Sequence, residues 1–124
     1  MARLNWPILA LVPLLASGIS LSACGVGGAV TDARRSCVNV RLALSLEKRS
    51  ESPGISATRR AALQADALSE LLKATPMAAE ATSIDGSWNP LMTTIGEAER
   101  VPIVDLVPSL TRLCQVANST SPYL

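Results

Sequence analysis

Cysteines and carboxylates are the side chains of this sequence that could carry chemistry. The 124 residues include three cysteines, at positions 24, 37 and 114, and no histidine. Without histidine, neither a Ser-His-Asp nor a Cys-His catalytic arrangement can form, and two distant thiols are too few ligands for zinc. Ten Asp and Glu side chains are present, but none, including Glu97 and Glu99, has the spacing of an acid and base pair. We therefore expect no enzyme activity, no bound metal and no cofactor.

Cys24 follows an N-terminal segment with the organisation of an export signal. A start that carries Arg3 is followed by the apolar residues 7–20 and then by small residues before Cys24. A membrane-spanning helix needs roughly 20 consecutive apolar residues, whereas this run is shorter and contains Pro7 and Pro13. The order of charged, apolar and small residues is typical of a cleaved signal peptide.

The residues Leu21-Ser22-Ala23-Cys24 resemble the lipobox of bacterial lipoproteins, in which a leucine stands three residues before an obligatory cysteine. The resemblance implies that the Cys24 thiol receives a diacylglyceryl group and that the signal peptide, residues 1–23, is cleaved before Cys24. Fatty acyl chains such as palmitate would then anchor the protein in a membrane, since each buried methylene contributes about 0.8 kcal/mol. An ordinary secretory signal followed by a chance cysteine is the alternative interpretation.

The same resemblance implies a location in the bacterial cell envelope. The lipid would lie in the outer face of the cytoplasmic membrane, or in the outer membrane of a cell with two membranes. The composition, rich in Ala and Arg and poor in Lys, is similar to that of small envelope lipoproteins of actinomycetes. Cleavage removes Arg3 and leaves ten basic and ten acidic side chains, so no basic excess remains for binding nucleic acid.

The mature chain divides into a tether, a domain and a tail. Residues 24–31 contain several glycines and, when extended, would hold the domain within about 25 Å of the membrane. Residues 32–118 are predicted to form the domain, and residues 119–124 show no ordered pattern. A domain of about a hundred residues has only a modest core and usually needs further stabilisation.

A disulfide is expected to provide that stabilisation. Once Cys24 is lipidated, Cys37 and Cys114 remain as an even pair in an exported protein, and oxidising compartments favour their pairing. The bond would join the first element of the domain to the last, which the chain-entropy model values at roughly 4 to 5 kcal/mol. Two buried thiols are the alternative.

The first element of the domain has two interpretations. Apolar residues alternate with mostly polar ones over residues 38–46, a period of two that is typical of a strand. Leu and Ala favour a helix, Asp32 could cap its start, and Lys48 and Arg49 suit its end. We favour the helix because no second strand is evident; a strand would make the domain α+β. The helix would be buried along two stripes, Ala33, Cys37, Val40 and Leu44, and Val38, Leu42 and Leu46.

The clearest helix follows a turn at residues 50–54. Ser56 is predicted to be its N-cap and Pro76 to end it. Thr75 and Pro76 are predicted to open a separate alanine-rich turn. The predicted inward stripe of the helix is Ala61, Ala65, Leu68, Leu71 and Leu72.

Two shorter helices complete an all-α bundle of about four helices closed by one disulfide. Asn89 and Pro90 are predicted as the cap and first residue of one, and Trp88 is expected to cover an edge of the core. Asp105 is predicted to cap the other, with Pro108 in its first turn. The inward face of that last helix is predicted to be Leu106, Leu110, Leu113, Cys114 and Ala117.

Two functions are compatible with these features. The first is a membrane-anchored, non-catalytic interaction or adaptor module that presents one face to another envelope protein. The alternative is a carrier for a lipid or other small apolar ligand, which would need an enclosed pocket of roughly 300 Å³ or more. Its predicted lining is Ala61, Ala65, Ala78, Ala79, Leu68, Leu71, Leu72 and Met92.

Overall fold

The computed structural model describes residues 26–120, with side chains from residue 28 onward. Helix α1 spans Val26–Ser50, α2 spans Ala57–Ile84, α3 spans Asn89–Glu97 and α4 spans Ile103–Ser119, and a 3-10 turn at Gly86–Trp88 joins α2 to α3. No strand occurs in residues 26–120, and residues 38–46 lie within α1. The predicted all-α fold with four helices is therefore confirmed.

Helices α1 and α2 form an antiparallel pair whose facing residues recur at intervals of four and three, which alternate throughout α1 and from Ala67 onward in α2. This is the heptad pattern of coiled coils. The facing residues of α1 are Ala29, Ala33, Ser36, Val40, Ala43, Glu47 and Ser50, and those of α2 are Leu63, Ala67, Leu71, Ala74, Ala78 and Ala81. We call this interface the α1–α2 seam. Most of its side chains are small, so the two backbones approach closely.

Two hydrogen bonds fix the register of the seam. The Ser36 hydroxyl donates to the Ala74 carbonyl at 3.0 Å, and Arg60 Nε donates to the Ser50 carbonyl at 3.1 Å. A side chain on one helix that reaches the main chain of the other requires close packing. Sliding one helix by a turn would break both bonds and move the seam alanines out of contact.

Helix α4 packs antiparallel to α1 and is joined to it covalently. Cys37 and Cys114 form the predicted disulfide, 77 residues apart in sequence. Arg34 donates to the carbonyl oxygens of Ala117, at 2.8 Å, and Thr120, so that it satisfies acceptors at the end of α4. With α3 packed against both α2 and α4, the four helices form a closed ring.

The predicted end of the second helix at Pro76 is wrong. Helix α2 continues through Pro76 to Ile84, and Thr75 lies inside it, where its hydroxyl donates to the Leu71 carbonyl at 3.4 Å. A proline inside a helix costs about 3 kcal/mol. Here the proline is exposed on the outer face, while Ala78 and Ala81 beyond it remain buried against α1. Packing along the seam offsets the local cost, and there is no separate alanine-rich turn.

The predicted inward faces of the two long helices are partly wrong. On α2, Leu71 is buried and Leu68 packs against the core as predicted, but Ala61, Ala65 and Leu72 are exposed. On α1, Ala33, Cys37 and Val40 are buried and Leu44 packs against the core as predicted. Of the second predicted stripe only Leu46 packs against the core, since Val38 and Leu42 are exposed. On both helices, most of the side chains that face the α1–α2 seam are small.

Helix boundaries also differ from the predictions. Helix α1 begins at Val26 rather than at Asp32, and Asp32 is a buried residue within it that pairs with Arg35 at 3.5 Å. Residues 26–31 therefore belong to the helical body rather than to an extended tether. Ser56 is the N-cap of α2, as predicted, and its side chain accepts from the Arg59 N–H at 3.1 Å.

The two shorter helices begin close to the predicted positions. Asn89 is the first residue of α3 rather than its cap, and Asp105 lies in the first turn of α4, which begins at Ile103. Pro108 is tolerated inside α4. Trp88 covers the core edge with 6% of its surface exposed. The inward face of α4 is confirmed, with Leu110, Cys114 and Ala117 buried and Leu106 and Leu113 packed against the core.

Candidate functional site

The predicted lipidation site, Cys24, and the signal peptide before it lie outside the described residues. What the structure adds is the position of helix α1. Helix α1 starts at Val26, two residues after Cys24 in the sequence. Ala29 and Val30, within its first two turns, are already fully or almost fully buried in the core.

Glu47 is the most deeply buried ionisable residue of the described chain. It occupies a position on the α1–α2 seam and is only 3% exposed. No lysine or arginine of residues 28–120 forms an ion pair with it, whereas Asp32, Glu70 and Glu97 each have a basic partner one turn away. A buried carboxylate without a cation is energetically unfavourable unless hydrogen bonds compensate.

The surroundings of Glu47 disfavour its charged form. Burial raises the pKa of the Glu47 carboxyl above its ordinary value of 4.5, and the negative charge of Glu51 raises it further. A hydrogen bond with the Gln64 side chain acts in the opposite direction and lowers the pKa. The Glu47 main chain is also engaged, because its carbonyl accepts the Ser50 hydroxyl at 2.7 Å.

Glu47 lies between two open cavities. We call the first the Gln64 cleft; it has a volume of about 240 Å³ and is formed where α1, α2 and the start of α4 meet. We call the second the Lys48 groove; it has a volume of about 400 Å³ and runs between α1 and α4. The Gln64 cleft is lined by Glu47, Gln64, Leu68, Ala98, Val101, Pro102, Ile103 and Val104. The Lys48 groove is lined by Arg41, Leu44, Ser45, Glu47, Lys48, Glu51, Val107 and Thr111.

The charges of the two cavities differ. Glu47 is the only ionisable residue that lines the Gln64 cleft, whose other walls are apolar apart from the Gln64 amide. The Lys48 groove carries two basic and two acidic residues. The first cavity therefore presents one carboxyl in apolar surroundings, and the second a mixed polar surface.

A third cavity lies at the opposite end of the bundle, where α1 begins and α4 ends. Its volume is about 220 Å³, and Val30, Trp88 and Val116 contribute to its walls. Among the described residues, the Trp88 indole N–H is the buried polar side-chain group without a hydrogen-bond partner. Nearby, Asp85 accepts the Ser87 N–H at 2.9 Å, which lowers the pKa of the Asp85 carboxyl.

The residues predicted to line a ligand pocket are not brought together. Ala61, Ala65 and Leu72 are exposed, and Leu71 and Ala78 are fully buried in the seam. Leu68 lines the Gln64 cleft, which is open rather than enclosed and has a volume of about 240 Å³, below the roughly 300 Å³ expected of a ligand pocket. Sequence reasoning missed Glu47 as an inward residue. Its inward position could have been inferred from the sequence, because Glu47 continues the heptad spacing of Val40 and Ala43.

Within the described chain, no cluster of three or more His, Cys, Asp or Glu side chains could hold a metal ion. None of the described helices combines the length and the apolar character that crossing a membrane requires. Comparison of the chain with protein-family models, with curated proteins and with solved structures finds no match in any of the three.

Proposed function

We propose that this chain is a lipid-anchored, non-catalytic interaction module of a bacterial cell envelope. Its anchor is the acylated Cys24, and its place is the outer face of the cytoplasmic membrane, or the outer membrane of a cell with two membranes. The observation that carries the proposal is the position of a lipobox cysteine two residues before the first helical residue, Val26.

The short spacing between Cys24 and Val26 would limit how far the domain can move from the membrane. Two extended residues span only about 7 Å, so a lipid on Cys24 would keep the start of α1 at the membrane surface. The bundle would then extend from a fixed end, with the Trp88 end close to the lipid and the Glu47 end away from it. An interaction module benefits from this arrangement because it restricts the domain to partners near the membrane.

The outer face of α1 is the surface we assign to partner binding. Val38 is 58% exposed and Leu42, one turn later, is 47% exposed. The neighbouring Arg35 and Arg41 are also exposed, so the face combines apolar and basic side chains. Neither α2 nor α4 covers this face. Exposed apolar groups beside positive charge suit a partner protein with apolar and acidic side chains.

The carrier hypothesis is less well supported. It needs an enclosed pocket, whereas Ala61, Ala65 and Leu72 are exposed and the seam is filled by alanine side chains. The three cavities described above are open and are lined by other residues. A carrier function would require the helices of the ring to separate.

The anchor can be tested by intact mass spectrometry of the protein extracted from membranes, before and after reduction with thiol alkylation. We expect a mass for residues 24–124 plus acyl chains, with two alkylatable thiols that appear only on reduction. A Cys24→Ser variant should carry no acyl mass. An unacylated wild-type chain with three free thiols would remove the basis of the proposal.

The partner surface can be tested by site-specific photocrosslinking in intact cells. A photoreactive residue at Val38 should give a discrete protein adduct, and the additional change Leu42→Glu should abolish it. The same probe at Glu80, an exposed position on α2, is the matched control and should give none. Equal adducts from both positions, or none from Val38, would contradict the assignment of this face.

A further inference from the structure

We propose that the Gln64 cleft binds a protonated primary amine carried on a short alkyl chain, with the Glu47 carboxylate as its counter-charge. The inference is independent of the lipid anchor and of the partner surface on α1. It rests on the burial of Glu47, on the lining of the cleft and on the absence of a basic side chain paired with Glu47 among the described residues.

The first step concerns the carboxylate. Glu47 is 3% exposed and has no ion pair in residues 28–120. The Gln64 amide supplies a hydrogen bond, but a neutral amide does not balance a negative charge. A buried carboxylate that keeps its charge gains most from a cation at hydrogen-bond distance, because charge-assisted hydrogen bonds are roughly twice as strong as neutral ones.

The second step concerns the walls of the cleft. Leu68, Ala98 and the segment Val101–Val104 are apolar, and no basic residue lines the space. Its volume of about 240 Å³ is below the range of roughly 300 to 1,000 Å³ that is typical of drug-sized ligands. A short alkyl chain can bury its methylenes against these walls while its ammonium group reaches Glu47.

The third step distinguishes the two cavities that share Glu47. The Lys48 groove is larger, but Arg41 and Lys48 line it and would repel an ammonium group. Glu51 lines the Lys48 groove and does not line the Gln64 cleft. Charge complementarity therefore favours the Gln64 cleft, and Glu51 provides a matched control residue.

A competing group borders the same cleft. Helix α4 begins at Ile103 without a side-chain cap, and the positive end of its dipole would attract an anion. If this end of the helix dominated, the cleft would take a carboxylate in place of an amine. Whether the cleft prefers a cation or an anion therefore shows whether Glu47 or the start of α4 determines its binding.

The experiment is an NMR titration of the ¹⁵N-labelled full chain in detergent micelles. Butylammonium, butanol and butyrate serve as probes of equal chain length and different charge. We expect butylammonium to shift the amide signals of Leu68 and Val104 saturably, and butanol and butyrate to bind at least tenfold more weakly. Glu47→Gln should weaken butylammonium binding at least tenfold, and Glu51→Gln should change it less than threefold.

Each contrary result overturns the proposal. Preference for butyrate would assign the cleft to the start of α4, and equal binding of the three probes would reduce it to an apolar surface. Loss of binding in Glu51→Gln would move the site to the Lys48 groove. If Glu47→Gln failed to fold, the ligand series in the unaltered chain would still decide, and an absence of binding there would also refute the site.

Discussion

The α1 residues of the α1–α2 seam fall into two segments that bury different chemical groups. Toward the start of the helix, the alanine segment (Ala29, Ala33, Ser36, Val40 and Ala43) packs against Ala74, Ala78 and Ala81. Toward the end, the polar segment (Glu47 and Ser50) is equally inaccessible but carries a carboxyl and a hydroxyl. The heptad spacing is the same in both segments, so the difference is one of chemistry rather than of geometry.

The two segments of the seam contribute differently to the stability of the fold and to its capacity to bind a ligand. The alanine segment buries mostly small apolar groups, and its one polar member, Ser36, donates its hydroxyl to the Ala74 carbonyl. The segment lies beside the Cys37–Cys114 disulfide. The polar segment must satisfy its buried groups, which it does through the Ser50 hydroxyl and Arg60 but without a cation for Glu47. We infer that the alanine segment holds the fold together and that the polar segment, beside two open cavities, keeps a buried carboxyl, that of Glu47, which has a hydrogen bond from Gln64 but no ion-pair partner among the described residues.

The largest expected effect is the loss of the disulfide. Replacing both Cys37 and Cys114 by Ala should lower the free energy of unfolding by about 2 to 5 kcal/mol, because the long loop between them regains its freedom in the unfolded chain. Urea denaturation of the full chain measures the change. Reduction of the wild-type protein should give a similar loss. A loss below about 1 kcal/mol would mean that the alanine segment holds α4 without the covalent bond.

A smaller effect is expected from overpacking the seam. Ala78→Leu should destabilise the fold by about 1 to 3 kcal/mol, because a larger side chain forces α1 and α2 apart. Ala65→Leu, at an exposed position of the same helix, is the matched control and should change stability by less than about 0.5 kcal/mol. Thermal denaturation followed by circular dichroism can compare the two variants. Similar effects at both sites would contradict a tightly packed alanine segment.

The smallest effect, and one of opposite sign, is expected at Glu47. Its pKa in the folded protein lies above the ordinary value of 4.5, so the unfolded chain releases this proton first as the pH rises. The free energy of unfolding therefore falls as the pH rises from about 4.5 through the folded-state pKa. Glu47→Gln should abolish that fall, which makes the variant the more stable protein at neutral pH.

The measurement for Glu47→Gln is the urea midpoint of both proteins across this pH range. Below pH 4.5 the two should agree closely, because protonated Glu and Gln are both neutral. Glu80→Gln, at an exposed position, should leave the pH dependence unchanged. A Glu47→Gln variant that is less stable than wild type at neutral pH would show that a cation or further hydrogen bonds already compensate the carboxylate.

The comparison also explains which predictions from the sequence succeeded. Cys37 and Cys114 could be paired because assigning Cys24 to lipid left two thiols, and Ser56 was recognisable as a cap from local chemistry. The inward stripes predicted from helical spacing included Ala61, Ala65, Leu72 and Val38, although all four are exposed. The alanines and serines that fill the α1–α2 seam are only weakly hydrophobic, so their composition does not mark them as core residues. Their heptad spacing is the feature of the sequence that indicates their inward position.

The sequence by itself determined the helical character of the domain and the capping of α2 by Ser56, since each depends on residues close together in the chain. The resemblance of residues 21–24 to a lipobox stays a prediction. Only the tertiary structure decided that α2 continues through Pro76 and that Glu47 is buried. Both outcomes depend on α1 and α2 meeting in one register over their whole length. Summed packing along that interface can exceed the local preference of a proline for a helix end or of a carboxylate for water.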